Sequence, residues 1–225
     1  MSQSPAPVVY DIFQRGLRRG AERLPFDPVK RYFYVEHPTE GWRVYLRSAC
    51  FIHERPGEAA ECIDPRRFLV VHRTGAKPGE RAWEMPKGQM EGKDGLTKEI
   101  SIMRLLEQNV RREVEEESHL RRISGLRYTG MCYQNREADY PPNHVFQYHI
   151  FQALAAPREV AYAQKDFEWL RAHPLAFARL RRDKREKDDL QWYEPGKMKL
   201  SSRWSPGIIA KYLAAADSGE LDKLR

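Results

Sequence analysis

Ile102, Leu106, Val110 and Val114 return at every fourth position, a spacing that sets them on one stripe of an α-helix and predicts a long helix over 98–118. The same helix carries Glu113, Glu116 and Glu117 at i, i+3 and i+4, so the three side chains project from one side. Like charges at that spacing repel, and without a counterion the arrangement costs stability, which makes a divalent cation a natural partner. Oxygen-only ligands suit Mg²⁺, with Mn²⁺ as the alternative, rather than zinc. The plain alternative is a glutamate-rich face that merely meets solvent, and the neighbouring sequence decides between the two.

That neighbourhood reads as an α+β chain. Apolar, partly β-branched runs predict strands at 44–52, 68–72, 128–133 and 145–154. Between the second strand and the helix lies Trp83-Glu84-Met85-Pro86, then a loop over 87–95 whose three glycines open backbone conformations closed to other residues. A last helix is predicted at 206–216, with Pro206 in its first turn and Gly219 beyond its end. The segment 179–189 mixes Arg179, Arg181, Arg182, Lys184, Arg185 and Lys187 with Asp183, Glu186, Asp188 and Asp189, and reads as a solvated helix or loop.

Arg112-Glu113-Val114-Glu115-Glu116-Glu117-Ser118-His119-Leu120 resembles the second half of the Nudix hydrolase signature, G-x5-E-x7-R-E-U-x-E-E-x-G-U, and Pro86-Lys87-Gly88 resembles the loop that opens it. The resemblance covers roughly residues 42–175. It implies the Nudix fold (α/β in the α+β sense, a mixed β-sheet between helices) and a Mg²⁺-dependent hydrolase of a phosphoanhydride bond. The metal would fall to Glu113, Glu116 and Glu117, with Glu113, Glu116 and Arg112 catalytic and Arg112 orienting the carboxylates. Lys87, Gly88 and Trp83 would meet the substrate. A general base often lies outside the signature in this family; Glu137, Asp166 and Glu168 are the candidates, with Glu168 preferred because it precedes Trp169-Leu170 in a stretch like the family's late acidic loop.

Three positions depart from the family pattern. Its first glutamate falls on Asp94, and seventeen residues, 95–111, separate Asp94 from Arg112, about ten more than the family spacing. The glycine that follows the family's helix is here His119, which points to a non-glycine residue held at φ > 0.

The run Trp83-Glu84-Met85-Pro86-Lys87-Gly88 is similar to the W-x-x-P-K-G of diadenosine polyphosphate hydrolases, mRNA decapping enzymes and some diphosphoinositol phosphate hydrolases. The implied substrate is a phosphorylated small molecule, nucleoside-diphosphate-linked or polyphosphate. The alternatives are a cap hydrolase or RNA-binding Nudix-fold protein, and a Nudix-fold binding module whose chemistry has lapsed.

Thirty-nine Lys and Arg against thirty-two Asp and Glu leave a net charge of +7, a field that draws in phosphorylated metabolites or nucleic acid. Cys50, Cys62 and Cys132 are odd in number and lack C-x-x-C spacing, which argues against a disulfide framework or zinc ribbon and for a reducing compartment. Cytoplasmic localisation is expected, with the nucleus as alternative, and no apolar run suggests a membrane span. Residues 1–41, rich in Pro and Arg, are expected to form an arm with an amphipathic helix at 9–24, either packed on the domain or placed at a homodimer contact. The catalytic domain is expected at 42–217, followed by a tail at 218–225.

Overall fold

The computed structural model describes residues 17–25, 27–56, 63–77, 79–95, 100–201 and 204–221, the side chain of Asp94 excepted. In chain order the strands and helices are β1 (Arg18–Leu24), β2 (Asp27–His37), β3 (Trp42–Glu54), β4 (Leu69–Arg73), β5 (Trp83–Glu84), β6 (Lys87–Gln89), α1 (Gly92–Gly95), α2 (Ile102–Ser118), β7 (Ser124–Asn135), β8 (His144–Ala155), α3 (Pro157–Ala172), α4 (Pro174–Arg179), a 3-10 turn (Arg182–Arg185), β9 (Lys187–Trp192) and α5 (Ser205–Asp217). One sheet runs β1-β2-β3-β8-β7 with β6 also on β3, and a second runs β5-β4-β9. The four strands and two helices expected from periodicity are present, and the α+β class is as expected.

The chain divides into two compact units, one drawing on residues 1–49, 88–111 and 130–150 and the other on 50–87, 112–129 and 151–225. Strands β3, β7 and β8 and helix α2 contribute residues to both.

In the first unit β1 and β2 form an antiparallel hairpin in which Gly20 faces Tyr34 and Ala21 faces Phe33, and β2 continues onto β3 with Val35 opposite Val44. This corrects the expected helix at 9–24. Ala21 and Leu24 fit a helical spacing, but pairing along β2 overrides local periodicity, and a Cβ at position 20 would lie 2.3 Å from Cζ of Tyr34, so the ring rests on a site only glycine leaves open. Residues 18–24 and 27–37 are therefore sheet strands, while the start of that helix, before residue 17, lies outside the described residues. Leu46, Met90, Phe146 and the helix stripe Ile102, Leu106 and Val110 are fully buried, which is the apolar face the four-residue repeat predicted.

In the second unit β4 is the central strand, with Leu69, Val70 and Val71 all fully buried. Helix α5 is anchored by Tyr212, whose ring stacks on Phe51 at 3.6 Å between centroids. Its hydroxyl sits 2.7 Å from Nε2 of His53 and accepts a hydrogen bond from Gln152.

The segment 179–189 differs from its expectation. It comprises the end of α4, the 3-10 turn and the start of β9, and Lys187 is 5% exposed rather than solvated. Alternating charges hid a strand that pairs with β4 from Lys187, opposite Arg73, to Trp192, opposite Leu69. Helix α3 was also missed, although Val160, Ala163, Phe167 and Leu170 carry its buried stripe.

Two outcomes follow from these packings. Tyr212→Phe keeps the ring stack but strips His53 and Gln152 of a shared buried partner, and should cost about 1–3 kcal/mol, read as a lower urea midpoint at unchanged m-value. Burial lowers the pKa of His149 from 6.5 to about 3, and burial also lowers that of His53. Both imidazoles stay neutral in the fold while the unfolded chain protonates. Stability is full above pH 6.5 and is lost as pH falls below it, for His149 down to about pH 3 at up to about 1.4 kcal/mol per pH unit. The slope of unfolding free energy between pH 6.5 and 5 should be flatter in His149→Gln than in the parent.

Candidate active site

Helix α2 ends in Arg112, Glu113, Glu116 and Glu117, the residues expected to carry chemistry. Arg112 lies at the head of this stretch and its guanidinium holds two of the glutamates at once, Nη2 to Glu113 at 2.8 Å and Nη1 to Glu116 at 2.9 Å. The i,i+4 spacing of Arg112 and Glu116 makes the second bond a property of the helix itself. Each glutamate thus gives one oxygen to Arg112. No described bond takes the other oxygen of Glu113, and that of Glu116 has Arg181 at 4.0 Å. Both side chains are little exposed, at 13% and 12%.

Burial pushes the carboxyl of Glu113 up to about 8; Arg112 pulls it back, while Glu117, Glu116 and Glu186 push in the same direction as burial. Burial is the largest of these causes and the neighbouring glutamates add to it, so the charged form of Glu113 is disfavoured unless a cation stands beside it. Among the described residues no three His, Cys, Asp or Glu side chains converge closely enough to hold an ion. The oxygen donors of Glu113 and Glu116 nevertheless fit a hard divalent cation in kind, and such an ion would offset the burial and like-charge repulsion that disfavour the ionised form of Glu113.

Glu117 is placed differently. Its side chain is 5% exposed, and both oxygens are engaged: Oε2 accepts from the backbone N–H of Lys87 at 2.8 Å and Oε1 pairs with the ammonium of Lys187 at 2.8 Å. The same ammonium pairs with Glu84 Oε1. Glu84 Oε2 is 2.8 Å from Nζ of Lys87 and accepts from Ser205 Oγ at 3.3 Å. Lys187 is held charged because the two flanking carboxylates outweigh its burial. Glu84 is kept well below the usual carboxylate range by Lys87 and Lys187, against the effect of burial.

The remaining expected residues scatter. Lys87 meets Glu84 through its ammonium, and the ring of Trp83 packs against His72 at 4.9 Å. Gly88 belongs to the other unit, where its carbonyl accepts from Asn109 at 3.5 Å. Glu168 lies exposed on α3, and none of the described contacts links it to Glu113, Glu116 or Glu117. Asp166 pairs with His119 at 2.7 Å, and Glu137 pairs with Arg47 in the first unit at 3.7 Å. Sequence reasoning missed Glu84, Glu186 and Lys187. The first two were flanking acids with no motif position, and Lys187 was hidden inside a charged run.

His119 closes the helix in the left-handed region, φ 57°, as its place at the family's glycine predicted. Its ring stacks on Phe167 of α3 at 4.2 Å. The next turn brings the basic segment alongside: Lys184 lies 3.2 Å from Glu115, and its carbonyl is 3.4 Å from Nε2 of His119.

A family model described as the NUDIX domain matches residues 55–198, well over half of the chain and including the whole of the glutamate helix. The chain belongs to the Nudix family. As a Nudix protein it is an enzyme of the pyrophosphatase type. Solved structures similar to it include a NUDIX hydrolase from Nitrosomonas europaea, at 15% identity over 76% of this chain and 89% of that one with a TM-score of 0.42. A second structure under the same description and organism matches at 13% identity over 94% of each chain with a TM-score of 0.42. A bifunctional NMN adenylyltransferase/ADP ribose pyrophosphatase from Francisella tularensis, complexed with AMP and a Mn ion, matches at 13% identity over 76% of this chain and 41% of that one with a TM-score of 0.37. No curated protein matches the sequence.

The cap supplies a clean comparison. His119→Ala and His119→Gly both lose the stack on Phe167 and the bond to Asp166, but only alanine retains the left-handed backbone cost, about 1–2 kcal/mol. Thermal or urea unfolding should rank the glycine variant above the alanine variant by roughly 1 kcal/mol; equal stabilities would contradict the strain.

Proposed function

We propose that this Nudix protein is a Mg²⁺-dependent hydrolase, with Mn²⁺ as the alternative ion. It cleaves a phosphoanhydride bond in a nucleoside-diphosphate-linked or polyphosphate substrate such as a dinucleoside polyphosphate or a diphosphoinositol phosphate. One observation carries this reading: a nearly buried carboxyl pair, Glu113 and Glu116, clamped by Arg112 through one oxygen of each.

Glu113 and Glu116 would hold the ion. A bound divalent ion supplies neutralisation of diphosphate oxygens and lowers the pKa of a water that attacks phosphorus. The protein's own contribution is positioning. Arg112 fixes both glutamates in one rotameric arrangement, so little conformational freedom is lost when the ion and the diphosphate arrive. Low exposure of the pair keeps competing water away and strengthens each charge contact.

Arg181, 73% exposed and close to Glu116, and Lys184 bring cations to the rim of this cluster. They favour a substrate carrying several phosphates over one carrying a single diphosphate. The same cations would serve capped RNA, so that reading stays on the substrate panel.

Glu116→Gln keeps a neutral acceptor for Arg112 and should leave the far-UV circular dichroism unchanged. Turnover with Mg²⁺ should fall by about 10²-fold or more. The assay is a panel of dinucleoside polyphosphates, diphosphoinositol phosphates, capped RNA, nucleotide sugars and isoprenoid diphosphates, with products identified by mass spectrometry. A fully active Glu116→Gln protein would overturn the assignment, and no turnover on any member by the parent would favour a lapsed binding module.

A further inference from the structure

Lys187 stands out among the cations of the second unit because it is placed at the first residue of a strand, 5% exposed, between two carboxylates from two other elements. A buried ammonium is costly unless it is paired and its donors are satisfied. Here one N–H direction goes to Glu84 of β5 and another to Glu117 of α2, 2.8 Å from the latter. Lys87 adds a backbone N–H to the second oxygen of Glu117 and an ammonium to the second oxygen of Glu84. Each oxygen of both glutamates is thereby committed to a protein donor. Glu113 and Glu116 contrast with this, since Arg112 takes only one oxygen from each.

Resting on the hydrolase reading above, we propose that Lys187 is a built-in cation of the catalytic carboxylate cluster, taking beside Glu117 the place a metal ion would otherwise take. The divalent ion then belongs to Glu113 and Glu116, and Glu117 serves as a positioning residue that ties α2 to β5 and β9. A dication brought to Glu117 must displace an ammonium at contact distance or bind against its repulsion, and either cost is absent at Glu113 and Glu116. Lys187 thus sets how many ions the cluster accepts and which glutamates receive them.

Mn²⁺ binding to the full-length protein without substrate tests this, followed by electron paramagnetic resonance and by calorimetry. Removal of a ligand or its support changes metal affinity by about 10–100-fold. Glu116→Gln should therefore weaken Mn²⁺ binding by about tenfold or more, whereas Glu117→Gln should stay within about twofold of the parent. Lys187→Met should free Glu117 and either add a second bound Mn²⁺ or tighten the first by about tenfold, and Lys187→Arg should restore the parent stoichiometry. If Lys187→Met proves too unstable to measure, the comparison of Glu116→Gln with Glu117→Gln decides alone. Equal losses in those two variants overturn the role of Lys187 while leaving the hydrolase intact. A parent protein that binds no Mn²⁺ at all overturns both this role and the metal-dependent reading beneath it.

Discussion

The buried knot of Glu84, Lys187, Glu117 and Lys87 is the constraint on which the second unit depends. Its members come from β5, from the start of β6, from the end of α2 and from the start of β9, so satisfying any one charge requires the other elements to be in register. Ions removed from water are tolerated only when paired, and removing one partner leaves a buried charge that costs far more than the pair contributes. Helix α2 is therefore located by charge at its end, where Glu117 sits, as well as by apolar packing at Val114.

Once α2 is held there, the rest of the cluster follows from helical geometry. Arg112, one turn ahead of Glu116, reaches both it and the adjacent Glu113, and the pair is left close together and nearly dry, with burial disfavouring the ionised form of Glu113. His119 ends the helix abruptly at φ 57° and directs the chain so that its ring stacks on α3. The basic segment after α4 then borders the glutamates from one side, with Arg181 and Lys184 contributing cations to Glu116 and Glu115.

Local signals carried much of this organisation. The stripe Ile102 to Val114 predicted α2 within a few residues, and the apolar runs predicted β3, β4, β7 and β8, because a buried face imposes its period on the residues that form it. They failed where a distant partner chose the conformation. Residues 18–24 have a helical spacing yet form a strand, since Tyr34 of β2 lies on Gly20. Lys187 reads as one more surface charge in a mixed run, since nothing in its neighbours announces that Glu84 and Glu117 will enclose it.

By itself the sequence determined the glutamate face, its clamp by Arg112 and the left-handed cap at His119, because each depends only on residues within a turn or two along the helix. Tertiary structure alone decided which of the glutamates is engaged through both its oxygens. Glu113, Glu116 and Glu117 are equivalent by spacing, and they become unlike only when β9 brings an ammonium to one of them and leaves the other two to Arg112. Charge acts across space rather than along the chain, and a lysine seventy residues after Glu117 carries no trace of that pairing in the local sequence.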